Sequence, residues 1–267
     1  MESNDAVAAL ESAQVAEMDA EPALERSPSS AGHGGLKLVI ANKNYSSWSM
    51  RPWVAMTAFA IPFEEIRIAL EKPDTSAKIA LYAKSGRVPV LLADEMTIWD
   101  SLAICEYLAE RFPEKAMWPT DTLARAMARC ICAEMHSGFS GLRNAMTMNI
   151  RGRFPGRGRT PEAQGDIGRI CEIWEECLSR HGHHEFLFGD FSIADAYFAP
   201  VVTRFKTYDV FLGAALQGYM ERVLAHPAVA RWIGQAMVEP EVIDKYELEP
   251  DASAVPPDGT RRKPGRR

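Results

Sequence analysis

The chain has 267 residues, 47% hydrophobic and 25% charged, enough to bury a sizeable core in one large domain or two moderate ones. Its formal net charge of −6 is concentrated before Leu36, where Glu2, Asp5, Glu11, Glu17, Asp19, Glu21 and Glu25 stand against one base, Arg26. The remainder is close to neutral, so no attraction to nucleic acid follows, and with no run of about eighteen apolar residues no membrane span is expected.

Residues 1–35 are rich in Ala, Ser and Glu. They lack the basic start and apolar core of a signal peptide and are too acidic for a transit peptide; a disordered acidic extension is expected. From Leu36, LKLVIA reads as a strand and SMRPWVAMTAFA as a helix stopped before Pro62. FEEIRIAL alternates in the β manner, and residues 71–87 leave room for a short helix. VPVLLAD and MTIWD read as a hairpin turning at Asp94–Glu95. SLAICEYLAERF closes this part as an amphipathic helix with Pro113 just beyond. A sheet that begins with a parallel crossover and ends in a hairpin must be mixed.

After residues 114–120, a linker, the β signal nearly vanishes. Helical periodicity covers 121–149, 161–181, 192–209, 213–225 and 227–237, interrupted by the basic turn RGRFPGRGRT. Residues 121–240 therefore form an all-helical unit, and 241–267, ending PPDGTRRKPGRR, a solvated tail. The five cysteines show no CxxC pair; without an export signal they suggest a reducing cytoplasm. His181, His183 and His184 lack an acid–thiol set, so no metal site is expected.

Three places invite chemistry. In NYSSWSMRPWVAM (Asn44–Met56) hydroxyls crowd the mouth of a helix, where they either cap it or, with the helix terminus, hold an anion. Pro89 opens a strand in GRVPVLL; either it is a trans proline at a first position, or a cis Val88–Pro89 bond turns the Val88 backbone toward an extended peptide. Asp100 and Ser101 begin another helix, either as caps or as a grip on the ammonium and carboxylate of an α-amino acid. Ser192 and Asp195 read as a structural capping box.

A serine-bearing first helix, VPVL, an acid–Ser third helix and SIAD in an all-α second half resemble, in that order, the cytosolic glutathione transferases over roughly residues 36–240. SSWSMRPWVAM is similar to the serine segment of the zeta (maleylacetoacetate isomerase-like) and tau-like classes. The resemblance implies an α/β thioredoxin-like domain with a mixed four-stranded sheet over 36–113, followed by the all-α domain. It implies a catalytic serine at Ser46, with Ser47 as its neighbour in reserve, donating a hydrogen bond to the glutathione thiolate. Val88 and Pro89 would hold the cysteinyl backbone, and Asp100 and Ser101 the γ-glutamyl end. Lys72, Lys84 or Arg87 would meet the glycyl carboxylate. Asp100 departs from the family's more usual Glu or Gln.

On the electrophile side stand Tyr45, Trp48, Phe139 and Arg143, with Met146, Met148 and Arg151 nearby. An arginine facing the thiolate would suit an acidic substrate of the maleylacetoacetate type. A serine nucleophile would need a base, and only a residue brought close by folding, such as His136, could supply it. The expectation is a cytoplasmic, homodimeric glutathione S-transferase acting on a small electrophile, with cis–trans isomerisation as one candidate reaction. The alternative is a catalytically idle scaffold of the same shape.

Overall fold

A computed structural model describes residues 35–181 and 185–248. Residues 1–34 (the acidic leader), 182–184 (with His183 and His184) and 249–267 lie outside the described residues; of the tail expected over 241–267, residues 241–248 instead pack against the 43–46 loop through Tyr45. Strand β1 (Lys37–Ile40) enters the centre of a four-stranded sheet. Helix α1 (Ser47–Ala58) crosses to β2 (Glu64–Arg67), which pairs parallel with β1. After the short α2 (Thr75–Ala80), β3 (Val90–Ala93) pairs antiparallel with β1, and β4 (Met96–Trp99) with β3. The order β2-β1-β3-β4 is the mixed sheet that the alternation implies, in the thioredoxin-like arrangement that the resemblance implies. The hairpin turns where expected, with Asp94 at φ +54°. Helix α3 (Ser101–Arg111) then packs on β3, β4 and α1.

Six helices follow among the described residues: α4 (Thr122–Ser137), α5 (Ser140–Ala145), α6 (Pro161–Arg180), α7 (Ile193–Tyr208), α8 (Ala214–Ala225) and α9 (Pro227–Met237). The continuous helix expected over 121–149 is instead two. Phe139 takes the left-handed conformation at φ +58°. At Gly138 a Cβ would lie 2.9 Å from the Glu134 carbonyl oxygen, so only glycine lets the chain leave α4 this sharply. Periodicity alone could not see this break, because the apolar positions continue across it.

Helix α7 is the axis of the molecule, with every residue buried except Lys206. Its N-terminus is the anticipated capping box, Ser192 with Asp195. The Asp195 carboxylate also accepts from Leu187 N and from the Tyr219 hydroxyl, at 3.2 and 3.1 Å. Trp174 packs edge-on against Phe198 and Tyr219. On the other side α7 packs against α1, which is itself buried around most of its circumference. The first turn of α1 is thereby held in protein rather than in water.

Candidate active site

A cavity of about 910 Å³ opens where the N-terminus of α1, the 85–89 loop and the β4–α3 turn face α4, α5 and α7. That is within the size range of small-molecule sites, about 300–1,000 Å³. Tyr45, Ser46, Ser47, Trp48, Arg87, Val88, Pro89, Asp100, Ser101 and Arg143 all line it. Lys84 and Phe139 do not; Lys84 is exposed and Phe139 is buried at the α4–α5 break. Lys72 is likewise off the cavity.

The Val88–Pro89 bond is cis. Asp100 stands in the left-handed region at φ +77°, and its Oδ1 accepts from Leu102 N at 2.8 Å, capping α3. The Ser101 hydroxyl lies 2.9 Å from that of Tyr197.

The two adjacent serines do different work. Ser46 is the N-cap of α1; its Oγ accepts from Ser49 N at 3.3 Å and donates to Ser49 Oγ at 2.8 Å. Ser49 Oγ in turn accepts from Ala41 N at 3.1 Å, tying the cap to the end of β1. Ser47, one residue on, accepts from the Arg204 guanidinium at 3.2 Å. A hydroxyl whose lone pair is held by a cation keeps its own proton to give.

Arg204 belongs to a cluster. Arg143 and Arg51 stack on the Trp48 ring, 4.4 and 4.3 Å from its centroid, and Arg51 also lies 4.5 Å from the Tyr197 ring. Among the described residues none of the three forms an ion pair with a carboxylate. Arg51 is buried, with Nε and Nη1 lacking any hydrogen-bond partner. Burial lowers the pKa of all three guanidiniums. Arg204, which also feels Arg51 and Arg143, is pushed down to about 9 and stays cationic at neutral pH. Buried charges are ordinarily paired; Arg143 and Arg204 line the cavity with no carboxylate partner among the described residues, and Arg51 stands behind them against Trp48, so that wall attracts anions.

His136, near the end of α4, lines the same cavity. Its Nε2 lies 3.2 Å from Asp100 Oδ2, its Nδ1 3.5 Å from the Tyr197 hydroxyl, and its ring 5.2 Å edge-on from Trp48. Sequence reasoning left its approach open. Arg204, which lines the cavity, was missed as a site residue, although an arginine inside the apolar run PVVTRF (200–205) is itself a signal of a buried polar contact.

The loop before Ser46 is clamped from the far end of the chain. Buried Glu239 accepts from Lys43 N and Asn44 N at 2.7 and 3.0 Å, and Trp232 Nε1 donates to the Lys43 carbonyl at 3.0 Å. The Tyr45 hydroxyl donates to Glu247 at 2.5 Å and accepts from Arg151 and from Ile243 N. Its proton is thus engaged with the 239–248 segment, whose Tyr246 also lines the cavity.

Residues 45–111 match the N-terminal domain of glutathione S-transferase, and residues 157–235 its C-terminal domain. Maleylacetoacetate isomerase of Rattus norvegicus is 30% identical over 179 residues, covering 66% of this chain and 82% of that protein. Its namesake in Pseudomonas aeruginosa is 27% identical over 205 residues, covering 72% and 93%. A crystal structure of a glutathione transferase homolog from Burkholderia gl BGR1, with bound glutathione, superposes with a TM-score of 0.60 at 25% identity, covering 76% of this chain and 98% of that one.

Proposed function

This chain belongs to the glutathione S-transferase family, a family of enzymes with glutathione as co-substrate, and from that premise we propose that it adds the glutathione thiolate to a small carboxylate-bearing electrophile, with cis–trans isomerisation of a maleylacetoacetate-type diacid as the leading reaction. The observation that carries the substrate class is the pair Arg143 and Arg204 on the cavity wall beside the hydroxyl-rich mouth of α1, with no carboxylate partner among the described residues. Relatives named for maleylacetoacetate isomerisation support the reaction.

In this reading the peptide lies along Val88 and Pro89, with its γ-glutamyl end at Asp100 and Ser101. Arg87, which lines the cavity where Lys84 does not, meets the glycyl carboxylate. Ser46, with Ser47 beside it, turns its hydroxyl toward sulfur. A thiol of pKa about 8.5 is a few per cent ionised at neutral pH; a hydroxyl donor, a helix N-terminus and nearby guanidiniums all favour the anion. The thiolate attacks the double bond, charge passes to the conjugated carbonyl, the former double bond rotates, and the thiolate leaves. Arg143 and Arg204 steady the substrate carboxylates and the developing enolate. The same reading makes residues 36–113 the glutathione-binding domain and 121–240 the electrophile side, in a cytoplasmic homodimer.

The test is ultraviolet titration of bound glutathione, followed by an isomerisation assay with maleylacetoacetate. A thiol distinctly more acidic than in buffer, with glutathione-dependent turnover, upholds the reading. A cavity that binds no glutathione defeats it.

A further inference from the structure

The imidazole of His136, paired with Asp100, has no task in the thiolate attack as described. His136 faces Trp48 and Arg51 of α1, Asp100 of the β4–α3 turn, Arg143 of α5 and Tyr197 of α7. Asp100 holds Nε2, which fixes the proton there in the neutral ring and leaves Nδ1 as the acceptor, facing the Tyr197 hydroxyl. The contact of Nδ1 with the Tyr197 hydroxyl, 3.5 Å, sits at the outer limit of a hydrogen bond, so it is readily exchanged for a substrate proton.

Resting on the glutathione-addition reading, we propose that His136, oriented by Asp100, carries the thiol proton to the substrate carbon and so decides whether the bound adduct is expelled as isomer or released as a stable glutathione conjugate. The steps balance. On ionisation the thiol proton passes to His136 Nδ1, giving an imidazolium held by Asp100. Sulfur bonds to the β-carbon while the π pair moves to the carbonyl oxygen as an enolate. From there the adduct has two exits. Collapse of the enolate re-forms the double bond and expels the thiolate, which takes back the proton from Nδ1, yielding the trans olefin and neutral His136. Transfer of the Nδ1 proton to the α-carbon instead yields the saturated conjugate and returns His136 to its neutral form.

The surroundings suit a carrier that starts unprotonated. Burial lowers the imidazole's pKa, Asp100 opposes, and Arg51 and Arg143 add to the lowering. The ring is thus an acceptor at neutral pH, and a proton once gained is under pressure to leave. Isomerisation needs no proton on carbon, and solvent can take the thiol proton, so loss of His136 weighs on conjugation far more than on isomerisation.

The experiment gives the full chain saturating glutathione and cis-4-oxopent-2-enoate, the reactive unit of a maleyl group, and measures trans isomer and conjugate together by proton NMR, with the uncatalysed rate subtracted. Wild-type protein should make both. His136→Gln should lower the conjugate-to-isomer ratio about 100-fold, the lower end of general acid catalysis, while isomer still forms; His136→Asn should do the same. A ratio does not depend on how much enzyme is folded, so a weakly folding variant still reports. Turnover by both variants at an unchanged ratio overturns the proposal and leaves glutathione addition standing. A wild-type protein that forms only isomer also overturns it. Absence of any glutathione-dependent product from wild type defeats the proposed function itself.

Discussion

Replacing Arg204 by Met keeps most of the unbranched stem and removes the guanidinium and its charge. The guanidinium donates to the Met146 carbonyl at 2.9 Å, the Pro200 carbonyl at 3.2 Å and Ser47 Oγ at 3.2 Å. A carboxylate brought about 4 Å from such a cation gains about 4 kcal/mol at an effective dielectric of about 20. Part of that is offset by stripping water from the carboxylate, leaving roughly 2–3 kcal/mol, or about 30–150-fold. The assay is kcat/KM for a cis-4-oxo-2-enoate against its neutral methyl ester, at fixed saturating glutathione. Arg204→Met should lose about that factor on the acid and less than about 3-fold on the ester. The fold should suffer less than the count of lost hydrogen bonds suggests. Burying a cation without a carboxylate is costly, and its replacement by an apolar side chain is often close to neutral; a change in unfolding free energy within about 1.5 kcal/mol is expected by urea denaturation. Equal losses on acid and ester would refute the anion-site reasoning. So would an unchanged kcat/KM on the acid.

The serines should separate by property. Ser46→Ala should raise the pKa of bound glutathione by about one unit and, as the lost N-cap of α1, cost about 1 kcal/mol of stability; a thiol titrating as in wild type would remove Ser46 from the mechanism. Asp195→Ala strands Leu187 N, Ser192 N and the Tyr219 hydroxyl, so unfolding should be easier by about 3–5 kcal/mol, and a loss under about 1 kcal/mol in urea would contradict the packing described. Burial also pushes the Asp195 carboxyl up to about 6. The native state then keeps a proton that the unfolded chain releases, so this group's contribution is present at low pH and is lost as pH rises through about 6. Wild type should show that decline in urea titrations between about pH 4 and 6, and Asp195→Ala should lack it. Glu239→Ala frees Lys43 N and Asn44 N; local amide exchange there should quicken and kcat should fall while the sheet's exchange stays slow, whereas unchanged protection of residues 43–46 would show that the clamp is idle.

Local order and motif are legible in the sequence. The β-α-β then β-β-α succession follows from alternation and caps, which act over a few residues. The hydroxyls at the α1 mouth, the turn before Pro89 and the Asp100–Ser101 helix start can be named as site candidates for the same reason. The break at Gly138–Phe139 is hidden, because a helix can end by backbone geometry while its apolar spacing runs on.

What surrounds those candidates is not legible. Ser47 meets Arg204 across 157 residues and Glu239 meets Lys43 across 196, while His136 reaches Asp100 from a different helix. Periodicity states that a side chain points inward; it carries nothing about which partner waits there. The sequence by itself determined the order of elements and which hydroxyls stand at the mouth of α1, since both are set by neighbours along the chain. Only the packing of α4, α5 and α7 around α1 and the β4–α3 turn decided which hydroxyl is backed by a guanidinium, that Arg143 and Arg204 share a wall, and that an imidazole lines the cavity, because each of these is a distance between segments that nothing local encodes.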